Sequence, residues 1–187
     1  QQVPGSLIAF SEAMASTPDG RAWVHFYEDD YRFRRLWNKP QAYLHRLSTF
    51  AGVISPDFSV YRNLPVAQKI GHTYRNQLLG AWLQAQGVKV IANVRVSGRS
   101  SVPYALAGVP CQSSIALGLH GCTKDKANRV FVLEEIRLIC DLQEPTNLIV
   151  YGSDAFGVLD HAREAGHLVH VYQPDSFRRA SSRKDAA

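Results

Sequence analysis

Eight polar or charged residues follow apolar segments along the chain, and their types are those found in catalytic and binding sites. They are Asp29, Asp30, Asp57, Ser59, Asn93, Arg95, His120 and Asp154. Carboxylates, an amide, an imidazole and a guanidinium group together can transfer protons, bind a divalent cation, or orient a phosphate or a sugar. We therefore predict a polar site whose residues are distant in sequence and meet only in the folded chain.

Asp57 is the central residue of this prediction. It lies in residues 53–65, where an apolar strand breaks at Pro56 and a helix opens at Pro65. Open α/β sheets and α/β barrels place their ligands at the carboxyl ends of parallel strands. We take Asp57 as the general base or metal-holding acid, with Asp154 as a second catalytic candidate. The ligand-binding candidates are Asp29, Asp30, Ser59, Asn93, Arg95 and His120.

Asn93 and Arg95 belong together in this prediction. Asn93 falls inside an apolar strand, where a buried amide must find hydrogen-bond partners. Arg95 shares its face because side chains of a strand alternate with a period of two. We expect Asn93 to position a ligand and Arg95 to pair with a phosphate.

The acidic residues also have structural interpretations, which the sequence leaves open. Asp29 and Asp30 are suited to capping the helix that follows them. Asp57 follows a proline and precedes a turn, where an aspartate side chain often bonds to its own backbone. Asp154 follows Gly152-Ser153 and fits an ordinary loop.

A divalent cation is the candidate cofactor, although no metal-binding motif is present. The three cysteines, Cys111, Cys122 and Cys140, form no C-x-x-C pair, which argues against a zinc or iron–sulfur site. The chain also lacks the G-x-S-x-G motif of hydrolases and the G-x-x-x-x-G-K loop that holds nucleotide phosphates. The reaction therefore stays open.

The elements that must position these residues alternate between apolar strands and helices. Strands are predicted at residues 6–10, 23–27, 52–55, 88–96, 113–119, 147–151 and 167–172. Helices are predicted from Pro40, over 65–86, 102–107, 124–142 and 158–165. In the second of these, we expect the side chains at four-residue steps to face the core, with Leu79 and Leu83 beside them: Val66, Ile70, Tyr74, Leu78 and Trp82. Continuously apolar strands favour an α/β fold with mostly parallel strands, either an incomplete (β/α) barrel or a doubly wound sheet.

Composition is that of a globular protein, with 45% hydrophobic and 20% charged residues among 187. We predict one α/β domain over residues 1–176 and a basic tail over 177–187, which carries three of the five net positive charges. No apolar run approaches the roughly 20 residues of a membrane span, and no signal peptide is evident. We therefore expect no membrane partner, and the sparse cysteines favour the reducing cytoplasm.

Several motifs resemble a bacterial and phage family called domain of unknown function 4417. The most specific is Ser55-Pro-Asp-Phe-Ser59, and others are Trp23-Val-His-Phe-Tyr27, Trp37-Asn-Lys-Pro40, Gly80-Ala-Trp-Leu-Gln84, Gly87-Val-Lys-Val-Ile91 and Leu148-Ile-Val-Tyr-Gly152. Where the family tends to have Pro-Asn-Val-x-Trp, this chain has Ala92-Asn-Val-Arg-Val96. The resemblance implies a phage or other mobile-element context and no established activity. Asp57 and Asn93 match the family's motif positions.

Two functions follow from these observations. The first is a protein that binds or processes a nucleic acid or a nucleotide at the strand ends. The second is a non-catalytic interaction protein, an accessory factor or inhibitor that binds a host or phage protein. The second function predicts an exposed apolar or aromatic patch.

Overall fold

The computed structural model describes residues 2–123 and 125–174 of the chain. Seven strands lie in this part: β1 (Ser6–Ala9), β2 (Ala22–His25), β3 (Gly52–Ile54), β4 (Val90–Asn93), β5 (Ser114–Gly118), β6 (Asn147–Tyr151) and β7 (Leu168–Tyr172). Seven α-helices lie between or beside them: α1 (Phe10–Ala13), α2 (Asp30–Asn38), α3 (Gln41–Leu47), α4 (Val66–Ala85), α5 (Val102–Ala105), α6 (Lys126–Gln143) and α7 (Asp160–Glu164).

All seven strands form one parallel sheet, and their order in space is their order in the chain. A doubly wound sheet would require the strand order to reverse at one point, and this sheet does not reverse. The sheet instead curls into a half-barrel, which is the incomplete barrel of the two predicted architectures. The predicted α/β class with parallel strands is confirmed.

The two faces of the sheet bury different side chains, as strand alternation requires. Val24 and Val53 pack with helices of the first half of the chain, and Ile115 and Leu148 pack with helices of the second half. The alternate positions form a separate cluster from strands alone, which includes Trp23, Ile54, Ile91, Ala116 and Ile149. The helices therefore cover the convex face, and the concave face packs on itself.

Curling brings distant strands of the half-barrel into contact across the concave face. The ring of His25 in β2 lies 4.3 Å from the ring of Tyr151 in β6, measured between centroids. At the edges, the phenol of Tyr172 in β7 donates a hydrogen bond of 2.5 Å to the carbonyl of Pro4, just before β1. Within the described residues, β1 and β7 do not pair as strands, so this side-chain bond joins the two edges.

Helix α4 forms over nearly the predicted range, but the predicted face was wrong. It begins after Pro65 and ends before Gly87, whose φ of 85° suits a residue without a side chain. The side chains predicted to be core are exposed, to 61% for Val66, 45% for Ile70, 58% for Tyr74 and 40% for Leu78. We call these four residues the α4 row.

The buried side of α4 is mostly small or polar, which explains the error. It includes Lys69, Thr73, Asn76, Gly80 and Leu83. Lys69 and Asn76 tolerate burial because each bonds to the loop between β3 and α4. Periodicity cannot detect such partners, since they depend on the fold. Trp82, also predicted to be core, is half-buried and packs against the helix-side core.

Two helices were missing from the prediction. Helix α1 starts at Phe10, where a strand residue was expected, and α2 occupies the segment before the predicted helix at Pro40. Only Phe33 and Leu36 of α2 are buried, so its apolar signal is weak.

In the described part of the chain, no helix is both long and apolar enough to cross a membrane. The predicted tail, 177–187, lies outside the described residues, and the single domain stays a prediction.

Candidate functional site

A cleft of about 660 Å³ opens at the carboxyl ends of the strands. Its charged lining residues are Glu28, Asp29, Asp57 and Glu135 on the acidic side and Arg32, Arg62 and Arg95 on the basic side. Aromatic rings also line it, from Tyr27, Tyr61, Tyr151 and His120. This volume is in the range of about 300–1,000 Å³ that is typical of sites for small molecules.

The loop that carries Asp57 is held in place by helix α4. The side chain of Asn76 accepts a bond of 2.7 Å from the backbone N–H of Phe58 and donates one of 3.1 Å to its carbonyl. Lys69 donates a bond of 2.7 Å to the carbonyl of Arg62. These bonds satisfy backbone groups that a buried loop would otherwise leave unpaired, so the loop has a fixed conformation.

Asp57 and Arg95 form a bidentate ion pair at the floor of the cleft. Arg95 donates from Nε to Asp57 Oδ1 at 2.7 Å and from Nη2 to Oδ2 at 2.5 Å. Its Nη1 donates to the carbonyl of Gly118 at 2.8 Å. Asp57 is 7% exposed, so its charge is compensated by Arg95 rather than by water.

Asn93 and Tyr27 complete the bonds around this pair. Asn93 donates from Nδ2 to Asp57 Oδ1 at 2.8 Å and to the carbonyl of Pro56 at 3.2 Å. The phenol of Tyr27 donates to Asn93 Oδ1 at 3.1 Å. We call Tyr27, Asp57, Asn93 and Arg95 the floor network. Each of its side chains has a partner, as buried polar groups require.

Gly118 makes room for the floor network. A Cβ atom at this position would lie 2.5 Å from the ring of Tyr27 and 2.7 Å from Nη2 of Arg95. Any larger residue would therefore push the phenol or the guanidinium group out of place. Glycine at the last residue of β5 therefore leaves the space that the phenol ring of Tyr27 and the guanidinium group of Arg95 occupy.

The charges of the network set the protonation of its members. Burial lowers the pKa of Arg95, but the charge and hydrogen bonds of Asp57, helped by Cys122 and Tyr27, outweigh it and raise the pKa above its ordinary value. Burial and the negative charge of Asp57 raise the pKa of Tyr27, although Arg95 opposes them. Arg95 is therefore a permanent cation, and Tyr27 is a neutral hydrogen-bond donor.

A second ion pair, between Arg62 and Glu135, lies at the side of the cleft. Nη2 of Arg62 is 3.2 Å from Oε1 of Glu135, and the guanidinium group lies 3.5 Å from the ring centroid of Phe131. Burial raises the pKa of Glu135, while Arg62, the Gly98 backbone and Arg95 partly offset the rise. Arg62 is reachable from solvent, with 36% of its side chain exposed.

Comparison with known proteins identifies the family. The family model described as Domain of unknown function (DUF4417) matches residues 1–173. The chain belongs to this family. The resemblance inferred from Ser55-Pro-Asp-Phe-Ser59 and the other motifs is therefore confirmed.

Two relatives of this DUF4417 chain are proteins of mycobacteriophages. It is 30% identical to the Gene 1 protein of Mycobacterium phage L5 over 129 residues, which cover 69% of this chain and 56% of the relative. It is 28% identical to the Gene 1 protein of Mycobacterium phage D29 over 154 residues, or 80% of this chain and 56% of the relative. The chain thus spans about half the length of these relatives. Both agree with the phage context, and no solved structure matches significantly.

Of the predicted site residues in this DUF4417 chain, five line the cleft: Asp29, Asp57, Ser59, Arg95 and His120. Asn93 lies beneath them, bonded to Asp57. The carboxylate of Asp30 accepts bonds from the N–H and hydroxyl groups of Ser59, so these two residues bind each other. Asp29 occupies the cap position of α2 without a side-chain cap bond.

Asp154 is, with Asp30, one of the two predicted residues that the structure places outside both the cleft lining and the floor network. It is not among the residues that line the cleft, and its Oδ2 lies 2.5 Å from Nη2 of Arg163, which belongs to α7. Asp154 comes three residues after the end of β6, so the loop has room to turn it toward α7. Its predicted catalytic role stays a prediction.

The sequence did not single out several residues of the cleft, notably Tyr27, Gly118, Glu135 and Tyr151. Tyr27 and Tyr151 end predicted strands, which is the signal that could have identified them. Gly118 carries no side chain, and Glu135 lies within a long helix, so neither position is marked by its local sequence. The aromatic pair is close in space, with Tyr27 and Tyr151 rings stacked at 5.2 Å between centroids.

A divalent cation finds no prepared site in this arrangement. Across 2–123 and 125–174, no three or more His, Cys, Asp or Glu side chains are grouped so that they could hold a metal ion. Asp57, the predicted metal-holding acid, already bonds to Arg95 and Asn93. The cation therefore stays a prediction that this geometry does not support.

Proposed function

We propose that this phage-family protein binds a nucleotide in the cleft at the carboxyl ends of its strands. The observation that carries the proposal is the combination, in one cleft of about 660 Å³, of arginines, aromatic rings and carboxylates. Arginine binds phosphate, aromatic rings stack with bases, and carboxylates accept bonds from ribose hydroxyls. A nucleotide contains a phosphate, a base and a ribose, so each kind of side chain has a group to bind.

The floor network supports a role for Arg95 in this binding. Three of the five N–H groups of a guanidinium are engaged here, two by Asp57 and one by the carbonyl of Gly118. The other two can donate to a ligand, and 30% of the side chain is exposed. Because Asp57 holds the guanidinium plane, Arg95 is preorganised to receive a phosphate or a base edge.

The charge of the cleft favours a nucleotide over a long nucleic acid. Its lining has three arginines and four carboxylates, so it lacks the positive excess that attracts a polyanion. A single nucleotide needs only one or two cations for its phosphate. We keep as a prediction that the protein processes nucleic acid or the bound nucleotide, with Asp57 as general base. A cytoplasmic location also stays a prediction.

Nucleotide binding can be tested with a matched pair of arginine variants. Arg62 and Arg99 each pair with a glutamate of α6, but only Arg62 lines the cleft. We expect nucleotides to raise the melting temperature of the wild type and to bind in calorimetry. Arg62→Gln should weaken binding by about tenfold or more, whereas Arg99→Gln should change it less than twofold.

Two outcomes would contradict this proposal. One is that no ribo- or deoxyribonucleotide binds at millimolar concentration. The other is that Arg99→Gln weakens binding as much as Arg62→Gln. A labelled single-stranded oligonucleotide, followed by anisotropy at increasing salt, separates the two ligand classes, because phosphate-chain binding weakens steeply with salt. Asp57→Asn tests processing in the same samples: turnover that survives it removes Asp57 from the chemistry.

Protein binding is the second candidate function, and the α4 row is the observation that favours it. Its four large apolar side chains are 40–61% exposed on one side of a single helix. Contiguous exposed apolar surface of this kind marks interaction sites in soluble proteins. Replacing a row residue with a charged one should therefore abolish an association without affecting nucleotide binding.

A further inference from the structure

The exposed side of α4 carries no charge, which is unusual for a helix on a protein surface. Nine of its twenty positions are exposed: Val66, Ala67, Gln68, Ile70, Tyr74, Leu78, Ala81, Gln84 and Ala85. The outer face of a surface helix normally carries charged and polar residues. Here its character is that of a helix covered by another apolar surface.

The neighbours of α4 extend this surface rather than covering it. Trp37 of α2 is half-buried and lies edge-on to Tyr74, with 6.3 Å between ring centroids. Arg75 follows Tyr74 in the chain, and its guanidinium group lies over the rings of Trp37 and Phe58, at 5.3 Å and 5.6 Å. The charge beside the α4 row is therefore held against aromatic rings within the same molecule.

We propose that the α4 row is the interface of a twofold-symmetric dimer, in which α4 of one copy packs antiparallel against α4 of a second copy. This inference rests on the second candidate function and names its partner. An uncharged face meets its own copy without like-charge repulsion. A partner selected by charge would find no charged group on the exposed positions of α4 to pair with. A closed twofold interface also covers both rows at once.

The even spacing of the α4 row allows two copies of the row to match each other when the helices are antiparallel. Its four residues recur every four positions, so its midpoint falls between Ile70 and Tyr74. A twofold axis there places Ile70 opposite Tyr74 of the partner subunit and Val66 opposite Leu78 of the partner subunit. Beside the row, Gly71 has open space where a Cβ atom would lie, so a neighbouring ridge can enter there.

The length of α4 provides an extended contact surface for such a dimer. Helix α4 has 20 residues and is therefore about 30 Å long. A stable interface buries about 800 Å² per partner, with an apolar centre and a polar rim. The α4 row with Trp37 supplies the centre, and Gln68 and Gln84 at the two ends of the helix supply an uncharged polar rim.

The first test uses two variants of the same residue type. Val66 belongs to the row and is 61% exposed, while Val130 lies on α6 and is 64% exposed. The wild type should sediment as a dimer in analytical ultracentrifugation over a concentration series. Val66→Arg should raise the dimer dissociation constant by about thirtyfold or more, and Val130→Arg should leave it unchanged.

A second test examines the register directly. Ile70→Lys and Tyr74→Glu should each be monomeric alone, because each homodimer would bury two like charges. Mixed in equal amounts, the two variants should form a heterodimer, since the introduced lysine of one chain then faces the introduced glutamate of the other. Recovery on mixing supports the antiparallel pairing of these two positions, and mixtures that stay monomeric overturn it.

Each remaining outcome also has a defined meaning. A wild type that stays monomeric at all concentrations overturns the dimer, as does a dimer that Val66→Arg leaves intact. A stoichiometric complex with a different protein that blocks self-association overturns it as well. Nucleotide binding is measured in the same variants. The cleft and the α4 row share no residue. A result that overturns the dimer therefore leaves the nucleotide-binding result valid, and a result that overturns nucleotide binding leaves the dimer measurement valid.

Discussion

The two ends of the curled sheet use their polar groups differently. At the β2–β5 end, side chains converge: Asp57, Asn93 and Arg95 bond to one another and face a cleft. At the β6–β7 end, Asp154 pairs with Arg163 of α7, and Tyr172 joins the sheet edges. All these residues lie at or just after strand ends, apart from Arg163. Tyr151 of β6 also lines the cleft, whereas Asp154 and Tyr172 do not. Strand-end position alone therefore does not place a residue in the cleft.

The largest expected effect contrasts the ion pairs at the two ends. Arg95→Met leaves the buried carboxylate of Asp57 without its cation and should lower the free energy of unfolding by about 3–5 kcal/mol. Arg163→Met should cost less, about 1 kcal/mol, because the pair is partly exposed and such pairs contribute little. Asp154 keeps 27% of its side chain exposed, so water can reach part of the carboxylate, although its Oδ1 is buried. Urea denaturation followed by circular dichroism measures both, and similar losses would remove the distinction between the two ends.

A smaller effect is expected from filling the space beside the floor network. Gly118→Ala places a Cβ atom within 3 Å of Tyr27 and Arg95, and overpacking of this kind costs about 1–3 kcal/mol. Gly20→Ala is the control, because no atom lies within 4 Å of the added Cβ there, and it should change stability by less than about 0.5 kcal/mol. Equal stability of the two variants would show that Arg95 and Tyr27 move aside freely.

The smallest expected effect concerns Glu135 and depends on pH. Burial raises the pKa of Glu135 in the folded protein, so the folded state holds this proton more tightly than the unfolded state. The free energy of unfolding therefore falls as pH rises from the unfolded pKa through the folded pKa. The Glu135→Gln variant has no carboxyl group to titrate at this position, so it does not lose stability in this way. Its stability relative to the wild type should rise as the pH increases above the ordinary pKa of a glutamate, by less than about 1 kcal/mol. Thermal unfolding across this range checks the sign, and a flat or falling difference contradicts it.

The sequence predicts elements well where the signal is local. Strand β6 is found at its predicted residues, 147–151, and α4 lies within one residue of its predicted range at each end. Continuous apolar runs identify parallel strands covered on both faces, and Pro65 and Gly87 mark the ends of α4. Strand order cannot be read in this way. Only the structure separates the half-barrel from a doubly wound sheet.

The face of α4 shows why a correct period can still give a wrong orientation. The apolar row and the buried row follow the same helical repeat, displaced around the axis. Burial of Lys69 and Asn76 depends on the carbonyl of Arg62 and the backbone of Phe58, which lie outside the helix. A row of apolar residues that binds another surface looks identical, in sequence, to a row that faces the core.

The floor network was predictable in part. Period-two alternation places Asn93 and Arg95 on one face, and both bond to Asp57. The partner of Arg95 was not predictable, because a guanidinium group suits a ligand phosphate as well as a neighbouring carboxylate. The need for Gly118 was invisible for a related reason, since it depends on where two side chains from other strands pass.

The strand order has a consequence for how this chain folds. Each strand pairs only with the strand before it and the strand after it in sequence. Closing a loop costs more conformational entropy as the loop lengthens, so pairing between successive strands costs less than pairing between strands that are distant in the chain. The sheet can therefore grow one strand at a time as the chain leaves the ribosome. The bond between Tyr172 and Pro4 joins residues 168 positions apart, so it can form only after all seven strands have been synthesised.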